Sequence, residues 1–246
     1  MEWQDDGVVL DARPHGENGL IVSVLTRAHG RCAGYARGGR GKKLRGVLMP
    51  GNRIHLSWRA RTSTQLGQIH AELVCSHAGR SFSSATALGV LSAACALCHS
   101  SLPDSMPLPR VHDGLVEMMD RLTLPAADLM RAYGHWEWHV LEALGYGVEI
   151  EGGDGASALR NDSPAFVDIE TGRAVRLSQI DTKHPQSLVA IPAFLRGDTL
   201  PPNTQDIAAA LALSGALLAH HVLGGRALPP ARRRLAESWP IGPVAA

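Results

Sequence analysis

With 246 residues, 45% hydrophobic and 19% charged, the chain is long enough for one large or two ordinary domains and too apolar to be a disordered polymer. Its 24 Lys/Arg nearly balance its 23 Asp/Glu, so bulk charge does not point to a polyanion-binding protein. The longest nearly uncharged stretch, Ile207 to Leu223, has 17 residues, is rich in Ala and includes Ser214, His220 and His221, which reads as a buried helix and not a membrane span.

The first residues, MEWQDDGVVLDARP, are acidic where an export signal has a positive n-region, so no such signal is expected. Together with four cysteines, this predicts reduced thiols in a cytoplasmic protein. From Gly7 to about Glu72 the chain reads as short strands. Gly7–Ala12 is closed by Arg13–Pro14–His15–Gly16, and Leu20–Leu25 by His29–Gly30. Cys32–Ala36 ends in Gly38–Gly39–Arg40–Gly41, and Val47–Met49 ends at Pro50–Gly51. Arg53–Arg59 alternates with Ile54, Leu56 and Trp58 on one face, and Leu66–Val74 alternates less cleanly. Five or six short strands with Gly/Pro punctuation predict a small closed barrel, for which the OB-fold fits best.

After Gly79 helices take over. Ser84 to His99 places Leu88, Leu91 and Cys95 at helical spacing, and the prolines of Leu102–Pro109 break it. Val111, Leu115, Met118, Met119 and Leu122 mark a second helix. Leu129, Ala132/Tyr133, Trp136, Val140 and Leu144 mark a third, with Gly145 as its C′ residue. Phe166–Val175 reads as a hairpin turning at Thr171–Gly172. A helix from Thr204, as N-cap, to Leu223 follows, and then a short basic helix over Leu228–Leu235. The expected class is α+β: an OB-fold barrel over residues 1–79, then a mainly helical domain over 80–246 with a small hairpin insert near 147–177.

The charge is distributed unevenly. Ten of the 24 basic residues lie between Arg27 and Arg61, and no Asp or Glu occurs from Asn18 to Ala71. The rest of the chain carries 14 basic residues against 23 acidic ones. A solvated face usually mixes signs to limit repulsion, so this stretch predicts a surface for phosphates. Arg37, Arg40, Lys42, Lys43 and Arg45 form its glycine-flexed loop, with Arg31, Arg59 and Arg61 on flanking segments. Tyr35 and Trp58 lie within it and could stack bases, although Trp58 shares a face with Ile54 and Leu56 and fits core packing equally well.

Other motifs carry less. Ala36–x4–Gly41–Lys42 nearly matches a phosphate-binding P-loop, but Lys43 stands where a Mg²⁺-holding Ser or Thr is needed. Cys95–Ala96–Leu97–Cys98–His99 matches the haem-attachment string inside an apolar helix, where two small buried residues are the simpler reading. A zinc site of Cys75, His77, Cys95 and Cys98 lacks a second paired knuckle. In His135–Trp136–Glu137–Trp138–His139 the glutamate is at the wrong offset for a metalloprotease. No catalytic set can be assembled, so no enzyme is expected.

Three stretches resemble the bacterial RecO recombination-mediator family. They are Gly7–Leu10 through Gly16–Asn18, Ile21–Thr26, His29–Arg31 and Ala36–Arg40; then Trp136–Glu137–Trp138–His139 through Leu144–Gly145–Tyr146; and Leu228 to Leu235. The resemblance implies an amino-terminal OB-fold, a helical carboxy-terminal domain and a non-enzymatic role in the cytoplasm at the nucleoid. That role is binding single- and double-stranded DNA, annealing complementary strands, and working with RecR to load RecA onto strands coated by single-strand-binding protein. Many family members place four zinc-binding cysteines after Leu-Gly-Tyr, but Gly147–Leu177 has none, so no cofactor is expected. The DNA-binding role falls on Arg37, Arg40, Lys42, Lys43 and Arg45, and Arg232, Arg233 and Arg234 are candidates for a basic rim receiving the acidic tail of single-strand-binding protein. Two alternatives stand beside this: a helical protein-interaction adaptor with incidental nucleic-acid affinity, and an RNA-binding OB-fold protein.

Overall fold

The computed structural model describes residues 1–62, 65–146, 165–176, 188–192, 195 and 203–239. Strands β1 (Glu2–His15), β2 (Gly19–Thr26), β3 (Gly30–Ala36), β4 (Arg53–Arg59) and β5 (Gly67–Cys75) close a barrel in the order β1-β2-β3-β5-β4. All neighbours are antiparallel except β3 and β5, which meet in parallel over Gly34↔Gly67 and Tyr35↔Gln68. A five-stranded closed barrel with this order is the OB-fold expected from the strand spacing.

Period-2 alternation builds the core. Val9, Val22, Val24, Cys32, Ile54, Leu56, Trp58 and Ile69 point inward together, and Leu48 joins them from the segment before β4. Strand β1, with 14 residues, is far longer than the run Gly7–Ala12 suggests. Its first half pairs with β4 and its second half with β2, with a register shift between Val9 and Asp11 that lets one strand serve both neighbours.

The segment joining β3 and β4 differs from expectation. Lys42–Val47 is a short helix, α1, where the sequence suggested a loop running to Gly46 and then a strand at Val47–Met49. Leu44, Val47 and Leu48 are spaced as a helix, and all three pack against the barrel core. Beyond β5, α2 (His77–Ser81), α3 (Ala85–Ser101) and α4 (Pro109–Asp120) belong to the same compact unit, which comprises Met1–Leu129 with Pro229–Arg232. Ser84 caps α3 by accepting from the Ala87 amide at 3.0 Å.

The second unit comprises Met130–Leu228 with Arg233–Ala246. Helix α5 (Ala126–Leu141), whose first turn belongs to the first unit, ends in a π turn, Glu142–Tyr146, where Gly145 takes φ 87°, the left-handed C′ conformation the sequence predicts. Strands β6 (Ala165–Asp168) and β7 (Ala174–Arg176) form the expected hairpin through Phe166↔Val175, and β8 (Leu188–Ala190) adds a third strand on the β6 side. The remainder of the predicted insert, 147–164 and 177, lies outside the described residues. Helix α6 (Thr204–Leu217) continues through a π turn at Leu218–Val222. Its N-cap is Asn203, one residue before the expected Thr204, in a reciprocal capping box with Asp206. Helix α7 (Pro230–Ser238) closes the described chain. No helix among the described residues is long and apolar enough to cross a membrane.

Candidate nucleic-acid interface

The fold sorts the ten clustered cations into two groups. β1 lays its acidic start along β4, pairing Glu2 with Arg59 and Asp6 with His55 in register. Asp6 then accepts from His55 Nδ1 at 2.9 Å and from Arg53 Nη2 at 3.0 Å, and these contacts, led by the histidine, hold its carboxyl below the usual aspartate range. Glu2 lies 3.7 Å from Arg59. From α4, Asp113 accepts from Arg27 Nε at 3.0 Å, and from the segment before α4, Asp104 lies 3.0 Å from Arg31, whose Nε also donates to Leu102 O at 2.8 Å. Exposed pairs of this kind contribute only about 0–1 kcal/mol each. Their larger effect is to neutralise Arg27, Arg31, Arg53 and Arg59 with acids from outside the acid-free stretch. Asp5, Asp6, Arg27, Arg53, His55 and Asp113 line a cleft of about 670 Å³ on this neutralised side.

The other six cations are bare. Arg37 and Arg40 lie in the turn after β3; Lys42, Lys43 and Arg45 lie on α1; Arg61 follows β4. All are exposed, and among the described residues none has a carboxylate partner. Strand register brings together two of the segments that carry them, the β3–α1 turn and the β4–β5 loop, beside the β1–β2 turn with its Glu17. Leu20 faces Ala36, His15 faces Gly19, Gly34 faces Gly67 and Arg59 faces Gln68, so the β1–β2 turn, the β3–α1 turn and the β4–β5 loop share one end of the barrel. Arg40 fastens two of them, its amide donating to Asn18 O at 3.3 Å and its Nη1 to Glu17 O at 2.9 Å.

The two aromatics separate. Tyr35 points outward from β3 and is half-buried, in a T-shaped contact with His15 with ring centroids 6.0 Å apart at 77°. Trp58 is 7% exposed, stacks on Trp3 at 5.5 Å and donates its indole N–H to Ala33 O at 3.0 Å. It is a core residue, so the surface-stacking role considered for Trp58 is corrected: alternation with Ile54 and Leu56 turns it inward. Arg232 is likewise 1% exposed, which removes it from any surface rim. Three consecutive arginines on a helix cannot share a face, and Arg232 lies on the side of Leu235, also buried, while Arg233 and Arg234 are exposed.

The remaining motifs are structural. Cys95 and Cys98 are buried on α3; burial pushes the Cys95 thiol up to about 12, and its Sγ contacts Val9 O at 3.7 Å. Among the described residues no three His, Cys, Asp or Glu side chains gather to hold a metal. His135 is half-buried and His139 exposed on α5. Sequence reasoning missed Glu137, which is fully buried between Tyr133 and Ser214. A lone carboxylate in the apolar run Trp136–Leu141, with a tyrosine four residues earlier, was the available signal.

Comparison with known proteins gives one consistent result. The family model described as "Recombination protein O N terminal" matches residues 1–77, and "Recombination protein O C terminal" matches residues 83–227. Among curated proteins the chain is similar to the DNA repair protein RecO of Rhodospirillum rubrum, 38% identical with 96% of each chain covered. It is also similar to that of Rhodospirillum centenum, 36% identical with 97% of this chain and 95% of the relative covered, and to that of Gluconacetobacter diazotrophicus, 38% identical with 96% and 94% covered.

Proposed function

Because the chain belongs to the recombination protein O family of DNA repair proteins, we propose that it is a mediator that binds single- and double-stranded DNA and anneals complementary strands. In this reading it helps RecR load RecA onto strands coated by single-strand-binding protein. The observation that supports it is a set of six bare cations on the β3–α1 turn, α1 and the β4–β5 loop, without carboxylate partners among the described residues, beside four that are already neutralised. Such a surface is most stable with a polyanion against it.

Annealing follows from the same electrostatics. Cations that screen phosphates on two strands reduce their repulsion, and binding confined to phosphates leaves base edges free to pair. Arg37, Arg40, Lys42, Lys43, Arg45 and Arg61 carry the main interaction, and the ion-paired Arg31 and Arg59 a lesser one. Arg233 and Arg234 are the candidates for the basic rim that receives the acidic tail of single-strand-binding protein. The role is non-enzymatic, needs no cofactor and is exercised in the cytoplasm at the nucleoid.

The test is a salt titration of single-strand binding after replacing Arg37, Arg40, Lys42 and Lys43 by Ala, with a strand-annealing assay alongside. Affinity is expected to fall more than tenfold, and the log–log salt slope to become shallower by about 0.7 for each phosphate that the variant no longer neutralises. Arg27→Ala and Arg53→Ala should leave the slope nearly unchanged. A quadruple variant with wild-type affinity and slope would refute the assignment.

A further inference from the structure

We propose that Tyr35, seated on Gly19 and flanked by His15, is the residue by which this surface distinguishes single strands from duplexes; this rests on the DNA-binding reading above. The barrel strands contain three Trp or Tyr rings, Trp3, Tyr35 and Trp58. Two are engaged with other rings: Trp3 stacks on His29 at 4.0 Å and on Trp58 at 5.5 Å, and Trp58 is in the core. Tyr35 has no stacked partner among the described residues, since its contact with His15 is T-shaped.

The ring of Tyr35 is also fixed in place. A Cβ built on Gly19 would fall 2.1–2.4 Å from the Cε2, Cζ and Oη atoms of Tyr35, so the outer half of the ring lies directly on the β2 backbone where glycine leaves room. With its outer half on the β2 backbone and the His15 ring at 77° to it, the ring is half-buried and keeps part of its surface exposed. Strand register places it mid-row, with Ile21 on β2 and Gln68 on β5 as direct neighbours and Arg13 and Arg59 one strand further out on either side. A flat platform with exposed Arg13 on one side and the ion-paired Arg59 on the other suits a strand that crosses the sheet and sets one base on the ring.

Phosphates are available on both forms of DNA, so the bare cations do not tell them apart. Base faces are available only on unpaired strands, because in a duplex each face is covered by the next base pair. A ring lying on the sheet cannot wedge between stacked pairs, and its contribution is confined to single strands. Tyr35 therefore sets the ratio of the two affinities, and the cations set their common level.

The experiment compares the full-length wild type with Tyr35→Phe, Tyr35→Ala and Gly19→Ala, using an oligo-dT strand and a duplex of equal length at one salt concentration, with a salt titration of the single strand. Tyr35→Phe keeps the ring and should match wild type on both. Tyr35→Ala should weaken single-strand binding by roughly 5- to 100-fold, with duplex binding within about twofold and the salt slope unchanged, since stacking releases no counterions. Gly19→Ala unseats the ring without removing it and should lower single-strand affinity selectively as well. Equal losses on both substrates, or no loss on either, would overturn the assignment while leaving the DNA-binding reading intact. Failure of the wild type to bind either substrate would instead remove the reading on which it rests.

Discussion

Glu137 is a buried carboxylate whose partners make it tolerable. Tyr133 Oη donates to it at 2.9 Å from one turn earlier on α5, and Ser214 Oγ donates from α6 at 2.5 Å. Removing either donor leaves the carboxylate desolvated without full compensation. Ser214→Ala is therefore expected to cost about 1–3 kcal/mol in denaturant unfolding, and Tyr133→Phe a similar amount. His77 gives a second residue-scale expectation. It is 1% exposed, and burial lowers its pKa below the usual 6.5 although Asp120 opposes the shift; burial and the nearby His139 lower that of His135 as well. The unfolded chain then takes up protons first as pH falls, so stability is full well above 6.5 and declines through and below it until the buried rings themselves protonate. The unfolding midpoint should drop between about pH 7.5 and 5.5, and His77→Gln should reduce that drop; an equal drop in the variant would show that the protons are taken up elsewhere. At this scale the sequence conveyed residue type better than direction. Trp58 could face either way until β4 was paired, and Arg232 looked like its neighbours until α7 had an inner face.

Helix α1 shows what was and was not legible at the scale of elements. Its charge and glycines dominate Ala36–Gly46, and Pro50–Gly51 punctuates the end, so the run reads as a loop and a strand. The helical signal is only three apolar residues, Leu44, Val47 and Leu48, too few to stand out in so short a helix. The five-residue α2 was missed for the same reason, since an isolated helix of that length has almost no intrinsic stability and forms only against its neighbours. The barrel strands, α3, α4 and α5 were legible because each repeats its period several times. Within α1, Gly46 is exposed, and a Cβ there would meet nothing within 4 Å. Gly46→Ala should accordingly stabilise the protein by about 0.4–1 kcal/mol by restricting the unfolded chain and favouring the helix, with DNA affinity unchanged. Loss of affinity without loss of stability would mean that the backbone at Gly46 itself approaches the ligand.

For the molecule as a whole, net charge conceals its organisation. A total near zero is divided into a barrel end of bare cations and a neighbouring side where β1 and α4 neutralise the rest, a division that only tertiary pairing reveals. The cysteine-free insert leads us to expect a metal-independent protein: elemental analysis should find well under stoichiometric zinc, and a chelator should leave the unfolding midpoint in place. The barrel also has one short joint. Its antiparallel ladders align seven or eight residue pairs each, whereas β3 and β5 meet over only two, at Gly34–Gly67 and Tyr35–Gln68. Opening that joint breaks the fewest backbone bonds, so in hydrogen–deuterium exchange its amides should exchange well before those of the β1–β2 ladder. Tyr35 is one of the residues of the joint. A base resting on it would bridge both lips of the barrel's slit, and bound single strand should slow exchange there more than anywhere else in the sheet, as a staple does in a cylinder rolled from one sheet.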